Sequence, residues 1–267
     1  MIVVRILGGL GNQMFQYAYA KALEQRGYSV KLDITSFKKY KLHGGYHLDQ
    51  FHIDLPEASS FELIRAKSNV FRTFKEMSLL FNESFLQLPK SGYVKGYFQT
   101  ERYFESIRST LLNQFRLKPT LSPKAKDFEK EIQSTTNSCS LHIRRGDYIS
   151  NSSAQAVHGS ASLDYYQKAV DHIQQVDSNV QFFIFSDDIV WVKENLKINN
   201  QTYVEVNGLP HEDMYLMSLC SHNITANSSF SWWGAWLNQN DEKVVISPNQ
   251  WFVSKENEVA CKSWIKL

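Results

Sequence analysis

Short apolar runs alternate with longer amphipathic segments throughout the second half of the chain. Apolar runs of roughly 4–8 residues are typical of buried strands, and longer segments with a helical period are typical of helices. The pattern predicts strands over 139–143, 180–185, 202–206, 222–225 and 243–246, and helices near 163–176, 189–196, 211–220 and 230–238. Because such alternation implies right-handed crossovers and a covered parallel sheet, this half is predicted to be a Rossmann-like domain.

The first half begins with the same order of strand, turn and helix. A strand is predicted over 2–7, and Gly8, Gly9 and Gly11 predict a turn. Asn12 is predicted to cap a helix that runs to Arg26. Further along, the predictions are strands over 28–33 and 93–98, a helix from Thr100 to Phe115, and a helix that begins at Ser122-Pro123. We place the connection between domains within 117–138, which divides the chain into 1–120 and 121–267.

Composition excludes several classes of protein. A hydrophobic fraction of 43% and a charged fraction of 21% are typical of a globular chain. The net charge of +2 comes without a basic tail or a block of lysines, so a nucleic-acid partner is not expected. The cysteines at 139, 220 and 261 are far apart and form no Cys-x-x-Cys, which favours a reducing compartment over a disulfide framework or a zinc site.

The N-terminal residues predict a strand and lack the charged and apolar regions of a signal peptide. No run approaches the ~20 apolar residues that a membrane span requires. We therefore expect a cytoplasmic protein, and peripheral attachment to the inner membrane stays open.

Two adjacent arginines follow the predicted strand 139–143. Residues 141–148 read Leu-His-Ile-Arg-Arg-Gly-Asp-Tyr, so Arg144 and Arg145 stand where the strand ends, and Gly146 allows a sharp turn. In an open α/β sheet, the carboxyl ends of the strands face the ligand crevice. Because guanidinium groups match paired oxygens bidentately, this pair predicts a binding site for a diphosphate.

A simpler interpretation of the arginines is a surface ion pair. Arg144 or Arg145 would pair with Asp147 and contribute ~0–1 kcal/mol. Spacing alone does not favour either interpretation.

Two further loops are expected at the same edge of the sheet. Asp187 is assigned to a nucleoside and Asp188 to the cap of helix 189–196, although the reverse assignment fits nearly as well. In the other loop, Asn227, Ser228, Ser229 and Phe230 begin a helix, where hydroxyls and amides bind phosphate. The simpler interpretation is that these serines only cap the helix.

The glycine turn near the N-terminus resembles part of a dinucleotide-binding motif. Gly9 and Gly11 supply two of its glycines and Asp33 stands at the distance of a ribose ligand, but Met14 replaces the third glycine. We therefore interpret Gly9, Gly11 and Asn12 as part of a backbone-amide loop that can approach an anion. A tight turn without a ligand is the alternative.

No Asp-x-Asp occurs anywhere in the sequence. Metal-dependent sugar transfer usually uses alternating carboxylates to hold Mg²⁺ or Mn²⁺ on a diphosphate. No metal is therefore expected, and the arginines would neutralise the leaving group.

Aromatic and basic residues are interleaved over 34–52. Sugar rings stack on aromatic faces, so this stretch is a candidate acceptor surface. A loop packed on its own aromatic residues is the more common explanation.

Four ordered segments carry a family resemblance. They are Gly-Gly-Leu-Gly-Asn-Gln-Met-Phe-Gln-Tyr-Ala (8–18), His-Ile-Arg-Arg-Gly-Asp-Tyr (142–148), Phe-Ser-Asp-Asp (185–188) and Asn-Ser-Ser-Phe-Ser-Trp-Trp-Gly-Ala-Trp-Leu (227–237). Together they resemble the bacterial α-1,2-fucosyltransferases of glycosyltransferase family 11. In one departure, Ala161 stands where relatives often have cysteine, which puts a role for that thiol in doubt.

The resemblance implies an α/β protein of the GT-B type, with two Rossmann-like domains facing across a cleft. It implies inverting, metal-independent transfer of L-fucose from GDP-fucose to O2 of a terminal β-galactose, in surface-glycan or O-antigen synthesis and without a cofactor. Residues 1–120 would be the acceptor-side domain and 121–267 the donor domain. The implied donor contacts are His142 near the nucleotide, Arg144 and Arg145 on the diphosphate, Asp187 at guanine, and Asn227, Ser228, Ser229 and Phe230 around the pocket.

Inversion requires a base that takes the proton of the acceptor hydroxyl. Asp147 is the first candidate because it adjoins the arginines, and His158 is the alternative. Asp147 could instead only orient an arginine. The competing hypotheses are a fucosyltransferase of another linkage, a nucleotide-dependent reductase that uses the glycine turn, and a non-catalytic carbohydrate-binding protein.

Overall fold

A computed structural model describes residues 1–39, 44–68, 72–145, 161–206, 208–253 and 255–267. The chain forms two compact units. The first consists of Met1–Pro119 with Glu256–Val259, and the second of Thr120–Lys255 with Ala260–Leu267. The sequence did not indicate that Glu256–Val259 belongs to the first unit. There Glu258 accepts a hydrogen bond from Arg102 Nη1 at 2.8 Å, which ties this segment to the unit.

The first unit is built on a four-stranded parallel sheet with the strand order β2-β1-β4-β3. Its elements are β1 (Ile2–Arg5), α1 (Leu10–Gln25), β2 (Val30–Asp33), α2 (Ser60–Ser68), β3 (Thr73–Lys75), β4 (Gly92–Lys95) and α3 (Arg108–Gln114). The sequence did not predict α2 or β3. The reason is that Phe61 and Ile64 are exposed on α2, which obscures its amphipathic pattern, and β3 is a short strand at the sheet edge.

The second unit contains a six-stranded parallel sheet with the order β10-β9-β8-β5-β6-β7. Its elements are α4 (Pro123–Ser134), β5 (Ser138–Ile143), α5 (Leu163–Val176), β6 (Gln181–Ser186), α6 (Ile189–Asn195), β7 (Gln201–Tyr203), α7 (Pro210–Leu219), β8 (His222–Ile224), α8 (Ser229–Leu237), β9 (Val245–Ser247) and β10 (Ile265–Lys266). Every strand and helix predicted over 139–246 is present. Only β7 is much shorter than predicted, and β10 was missed.

Buried strands form the core of the second unit. All six residues of β5 are buried, and Cys139 and Leu141 pack in one cluster with Phe182 and Ile184 of β6. A second cluster between the sheet and the helices α4 and α7 includes Phe183 and Phe185. The side chains of β6 thus alternate between two apolar layers, so the sheet is covered on both faces, as predicted.

Two helix starts in the first half differ from the prediction. Helix α1 begins at Leu10 with Gly9 as its N-cap, so Asn12 lies inside the first turn and does not cap it. Thr100 makes no side-chain capping bond, and short 3₁₀ turns precede α3 because Tyr103 and Phe104 turn into the core. The predicted start at Ser122-Pro123 is confirmed, since Ser122 Oγ accepts from Ala125 N at 3.3 Å.

Candidate active site

The order of strands in the second unit reverses between β5 and β8. Ligands of open parallel sheets bind outside the carboxyl ends of the strands at such a reversal, because the connecting helices leave the sheet in opposite directions there. Strand β5 ends at Ile143 and β8 ends at Ile224. The loops that begin at Arg144 and Thr225 therefore flank the expected ligand crevice.

Arg144 is fixed by the loop that follows β6. Its Nη1 lies 3.0 Å from Asp187 Oδ2, and both side chains are about one-quarter exposed, at 27% and 25%. The other carboxylate oxygen, Asp187 Oδ1, accepts the backbone N–H of Arg145 at 2.9 Å. Asp187 thus holds the start of the arginine loop, a role that the sequence did not indicate. Its predicted contact with a nucleoside stays a prediction.

Arg145 is held from two sides by the first turn of α6. Its Nε donates to Asp188 Oδ2 at 3.3 Å, and its Cζ lies 3.5 Å from the centroid of the Trp191 ring. Asp188 Oδ1 accepts the N–H of Trp191 at 3.1 Å, so the predicted cap by Asp188 is confirmed. One helix terminus therefore supplies both a carboxylate and an aromatic face to this guanidinium.

The ion pair predicted between an arginine and Asp147 stays a prediction, because Asp147 lies outside the described residues. The carboxylate partners observed for Arg144 and Arg145 are Asp187 and Asp188, whose loop follows the neighbouring strand. Asp147 and His158, the two candidate bases, lie outside the described residues. Because a guanidinium has five N–H donors, one carboxylate orients it without occupying all of them. Both arginines also stay partly exposed, so they can accept an anionic ligand.

His142 is the most perturbed side chain near the arginines. It is 5% exposed, its ring centroid lies 5.6 Å from that of Phe230, and within the described residues its Nδ1 has no hydrogen-bond partner. Burial and the nearby Arg144 charge lower the pKa of His142 to about 3, although Asp187 opposes the shift. The imidazole is therefore neutral at physiological pH.

The loop after β8 is organised around the start of α8. Ser228 is the N-cap, and its Oγ accepts the N–H of Phe230 at 3.3 Å. The capping interpretation is therefore confirmed for Ser228. Ser229 and Phe230 are partly exposed, and Asn227 is buried. Their predicted contacts with the donor stay predictions.

The glycine turn of the first unit is fixed by two buried glutamines of α1 that the sequence analysis did not single out. Gln13 Nε2 donates to Gly8 O at 2.8 Å, and Gln16 Oε1 accepts the N–H of Leu7 at 2.8 Å. Gly8 has a φ of +87°, which disfavours a side chain there. The signal in the sequence was the pair of amides at i and i+3 inside an apolar helix.

Both carboxylate oxygens of Asp33 are engaged in structural contacts within the first unit. It is 1% exposed and accepts hydrogen bonds from Thr35 N at 3.0 Å and Tyr93 Oη at 2.5 Å. Lys67 Nζ lies 2.7 Å from Asp33 Oδ2, the oxygen that also accepts from Tyr93. Burial opposes its ionisation, but these partners outweigh burial and lower the pKa to about 2. This carboxylate is not available to a ribose, which removes the basis of the reductase hypothesis.

The aromatic stretch 34–52 is only partly described. Phe51 is 2% exposed and packs on Phe115, so it belongs to the core. Phe37 and Tyr46 lie against one another with ring centroids 5.5 Å apart. Residues 40–43 lie outside the described residues. The stretch therefore packs largely on its own aromatics where it is described, and its predicted contact with an acceptor stays a prediction.

The described residues contain neither a metal-binding cluster nor a membrane-spanning helix. In the ranges given above, no group of three or more histidine, cysteine or acidic residues could hold a metal ion. None of the helices in that part of the chain is both long and apolar enough to cross a bilayer.

Solved structures with a similar fold include fucosyltransferases. Fucosyltransferase NodZ from Bradyrhizobium aligns over 87% of this chain and 91% of that chain, with a TM-score of 0.50 and 14% identity. NodZ α-1,6-fucosyltransferase soaked with GDP-fucose aligns over 88% and 91%, with a TM-score of 0.54 and 14% identity. At this identity the likeness concerns the fold, and with the two parallel sheets flanked by helices it confirms the prediction of the GT-B type.

Sequence relatives are much closer. An α-1,2-colitosyltransferase of Escherichia coli is 38% identical over 96% of this chain and 94% of that protein. The O-antigen biosynthesis glycosyltransferase WbnK of Escherichia coli is 36% identical over 97% and 98%. The mouse galactoside 2-α-L-fucosyltransferase Sec1 is 25% identical over 100% and 74%. The model of the family described as Glycosyl transferase family 11 matches residues 1–267. The chain therefore belongs to glycosyltransferase family 11, the family of the galactoside α-1,2-fucosyltransferases.

Proposed function

We propose that this enzyme transfers L-fucose from GDP-fucose to O2 of a terminal β-galactose, with inversion and without a metal ion, in the synthesis of a bacterial surface glycan. The observation that carries the proposal is the pair of oriented guanidiniums at the reversal between β5 and β8. Arg144 and Arg145 are each held by a separate aspartate and stay partly exposed. That arrangement suits the two phosphates of a nucleoside diphosphate.

In this proposal the second unit binds the donor and the first unit binds the acceptor. In the second unit, His142, Phe230 and the serines at 228 and 229 surround the nucleotide sugar. In the first unit, the amides of the Gly9–Asn12 turn can approach an anionic group.

Inversion follows when the acceptor hydroxyl attacks the anomeric carbon from the side opposite the departing GDP. The base, Asp147 or His158, takes the hydroxyl proton as the new glycosidic bond forms. The bond from the anomeric carbon to the diphosphate oxygen breaks at the same time, and both electrons leave with GDP. Arg144 and Arg145 stabilise the charge that develops on that oxygen, which is the electrostatic role a metal ion has in other sugar transferases.

A second candidate donor carries colitose instead of fucose. It is favoured by the 38% identity to an enzyme named for colitose transfer. Colitose lacks the 3-hydroxyl of L-fucose. A site that hydrogen-bonds this hydroxyl would reject the deoxy sugar strongly, whereas an apolar pocket would reject fucose only weakly.

A donor panel tests the proposal. Thermal-shift assays would use GDP, GDP-fucose, GDP-colitose, GDP-mannose and NADPH, followed by transfer assays on lactose and both isomers of N-acetyllactosamine with linkage analysis by NMR. We expect GDP and GDP-fucose to raise the melting temperature and the product to carry an α-1,2 linkage to galactose. Transfer of colitose but not fucose would select the second donor, and a shift with NADPH alone would overturn both.

The absence of a metal requirement is a separate prediction. We expect an excess of EDTA to leave the transfer rate within about twofold of the untreated rate, because the guanidiniums replace the ion. The measurement compares initial rates with EDTA, with Mg²⁺ and with Mn²⁺. A rate that EDTA abolishes and Mn²⁺ restores would contradict the role given to the arginines.

We also propose that the enzyme acts in the cytoplasm, with any contact to the inner membrane limited to the surface. The three cysteines support a reducing compartment because all are buried and none forms a disulfide in the described part of the chain.

A further inference from the structure

A strained turn follows β4 at the carboxyl edge of the first sheet. The strand order β2-β1-β4-β3 reverses between β1 and β4, so residues 96–99 lie at this sheet's own ligand-binding edge. Phe98 has a φ of +53°, which is uncommon for any residue except glycine. Such strain persists only where the surroundings fix it, and it concentrates at functional sites.

Aromatic packing fixes Phe98. Its ring is fully buried and stacks on Tyr19, with centroids 3.7 Å apart and an interplanar angle of 11°. Tyr103 and Phe85 contact it edge-on at 5.4 and 5.5 Å. The ring therefore anchors the backbone of the turn in its strained form.

Hydrogen bonds fix the backbone on either side of this ring. Glu76 Oε2 accepts the N–H groups of Tyr97 at 2.7 Å and of Phe98 at 3.0 Å. Gly96 O accepts from Gln16 Nε2 at 3.2 Å. A Cβ at Gly96 would lie 2.7 Å from both Glu76 Cβ and Phe98 Cζ, so a larger residue would displace the turn. The turn is thus held by side chains from three elements.

The turn is also joined to the first turn of α1. Gln99 Nε2 donates to Asn12 Oδ1 at 2.7 Å. Within this rigid turn Tyr97 points outward and is 39% exposed, whereas the next ring is fully buried. The exposed Tyr97 ring thus offers a ligand a flat surface. Because its backbone is already fixed, the ring loses little conformational freedom when a ligand binds.

We propose that Tyr97 binds the terminal galactose of the acceptor by stacking its ring against the apolar face of the sugar, with Glu76 and Phe98 as positioning residues. The proposal rests on the function proposed above, and it places the acceptor on residues 96–99 instead of on the aromatic stretch 34–52.

The test replaces Tyr97 and measures kinetics with the full-length enzyme, using N-acetyllactosamine and GDP-fucose. Tyr97→Ala should raise the acceptor KM by about tenfold or more, because stacking is lost, while the KM for GDP-fucose and the slow hydrolysis of GDP-fucose in water stay within about twofold. Tyr97→Phe should stay close to wild type because the ring remains. Phe61→Ala is the matched control, since that ring is exposed at 73% on α2 of the same unit.

A second pair of variants tests the positioning residue. Glu76→Ala should raise the acceptor KM and leave the donor KM unchanged. Glu76→Gln should keep the acceptor KM closer to the wild-type value, because its amide oxygen can still accept both N–H groups. An acceptor KM for Tyr97→Ala within twofold of wild type would overturn the proposal while transfer itself stays intact. If the wild-type chain neither binds GDP nor transfers fucose, the proposed function fails instead.

Discussion

The two sheets end in loops of opposite chemistry. At the carboxyl edge of the second sheet, guanidiniums pair with carboxylates, as Arg144 does with Asp187 and Arg145 with Asp188. At the carboxyl edge of the first sheet, the glutamines at 13 and 16 bind mainly backbone groups. At the edge of the second sheet, carboxylates therefore orient charged arginine side chains. At the edge of the first sheet, neutral amide side chains fix the backbone.

In the proposed function, this difference corresponds to the two substrates of a sugar transfer. The nucleotide part of the donor leaves as a diphosphate, whose growing charge needs cations that are already oriented when the bond breaks. The proposed acceptor is neutral and needs shape and hydrogen bonds rather than charge. In this proposal, two parallel sheets of different strand order serve one substrate each through the loops at their strand ends.

The largest loss of activity is expected from a substitution of Arg145, at the edge of the second sheet. Arg145→Lys keeps the charge but loses the planar fork and the stacking on Trp191, so we expect kcat/KM to fall by about 100-fold or more. The measurement is steady-state transfer at varied GDP-fucose. Arg26→Lys, at an exposed site where α1 ends, is the matched control and should match wild type. Turnover near wild type in Arg145→Lys would show that the guanidinium of Arg145 is not required at this edge.

A smaller effect is expected from the ring beneath that arginine. Trp191→Ala removes the contact at 3.5 Å and should lower kcat/KM by about threefold to thirtyfold, the range that a cation–π contact explains. Trp191→Phe should recover most of the loss. Val190→Ala, in the same helix at a site that is 68% exposed, serves as the control. An unchanged rate in Trp191→Ala would show that Asp188 alone orients the guanidinium.

The smallest expected effect is a pH dependence of stability that arises from His142, at the edge of the second sheet. Because the folded-state pKa of His142 is about 3 and the unfolded value is near 6.5, the unfolded chain binds a proton that the folded chain does not. The contribution of His142 to the free energy of unfolding is therefore largest above pH 6.5 and decreases as the pH falls toward 3. At pH 6 the loss should be ~1 kcal/mol, seen as a larger drop in melting temperature for wild type than for His142→Gln. Parallel curves for the two proteins would contradict the buried, neutral imidazole.

Sequence reasoning worked well for the second unit. Its central strands are buried and helices such as α5 are amphipathic, so apolar runs and helical periods mark these elements directly, as with β5 and α5. The loops that follow them were also located, because strand ends in a parallel sheet share one edge. The carboxylates that hold the arginines were not predicted, because Arg144 and Asp187 lie in loops after different strands and their contact depends on side-chain direction.

The first unit was harder for a physical reason. The exposed apolar side chains of Phe61 and Ile64 on α2 and the short edge strand β3 leave no clear period. The strained turn at Phe98 has no signal in the sequence either, because phenylalanine rarely adopts a positive φ and only the surrounding rings enforce it. Asn12 was misplaced as a cap for a similar reason: its partner, Gln99, lies 87 residues away.

The central claim is that two oriented guanidiniums bind the diphosphate in place of a metal ion. It is tested most directly by a crystal structure of the enzyme with GDP, grown in EDTA. We predict phosphate oxygens within hydrogen-bonding distance, about 2.7–3.0 Å, of the Arg144 and Arg145 side chains. A diphosphate bound well away from both side chains, or bound only when Mg²⁺ or Mn²⁺ is supplied, would contradict the claim.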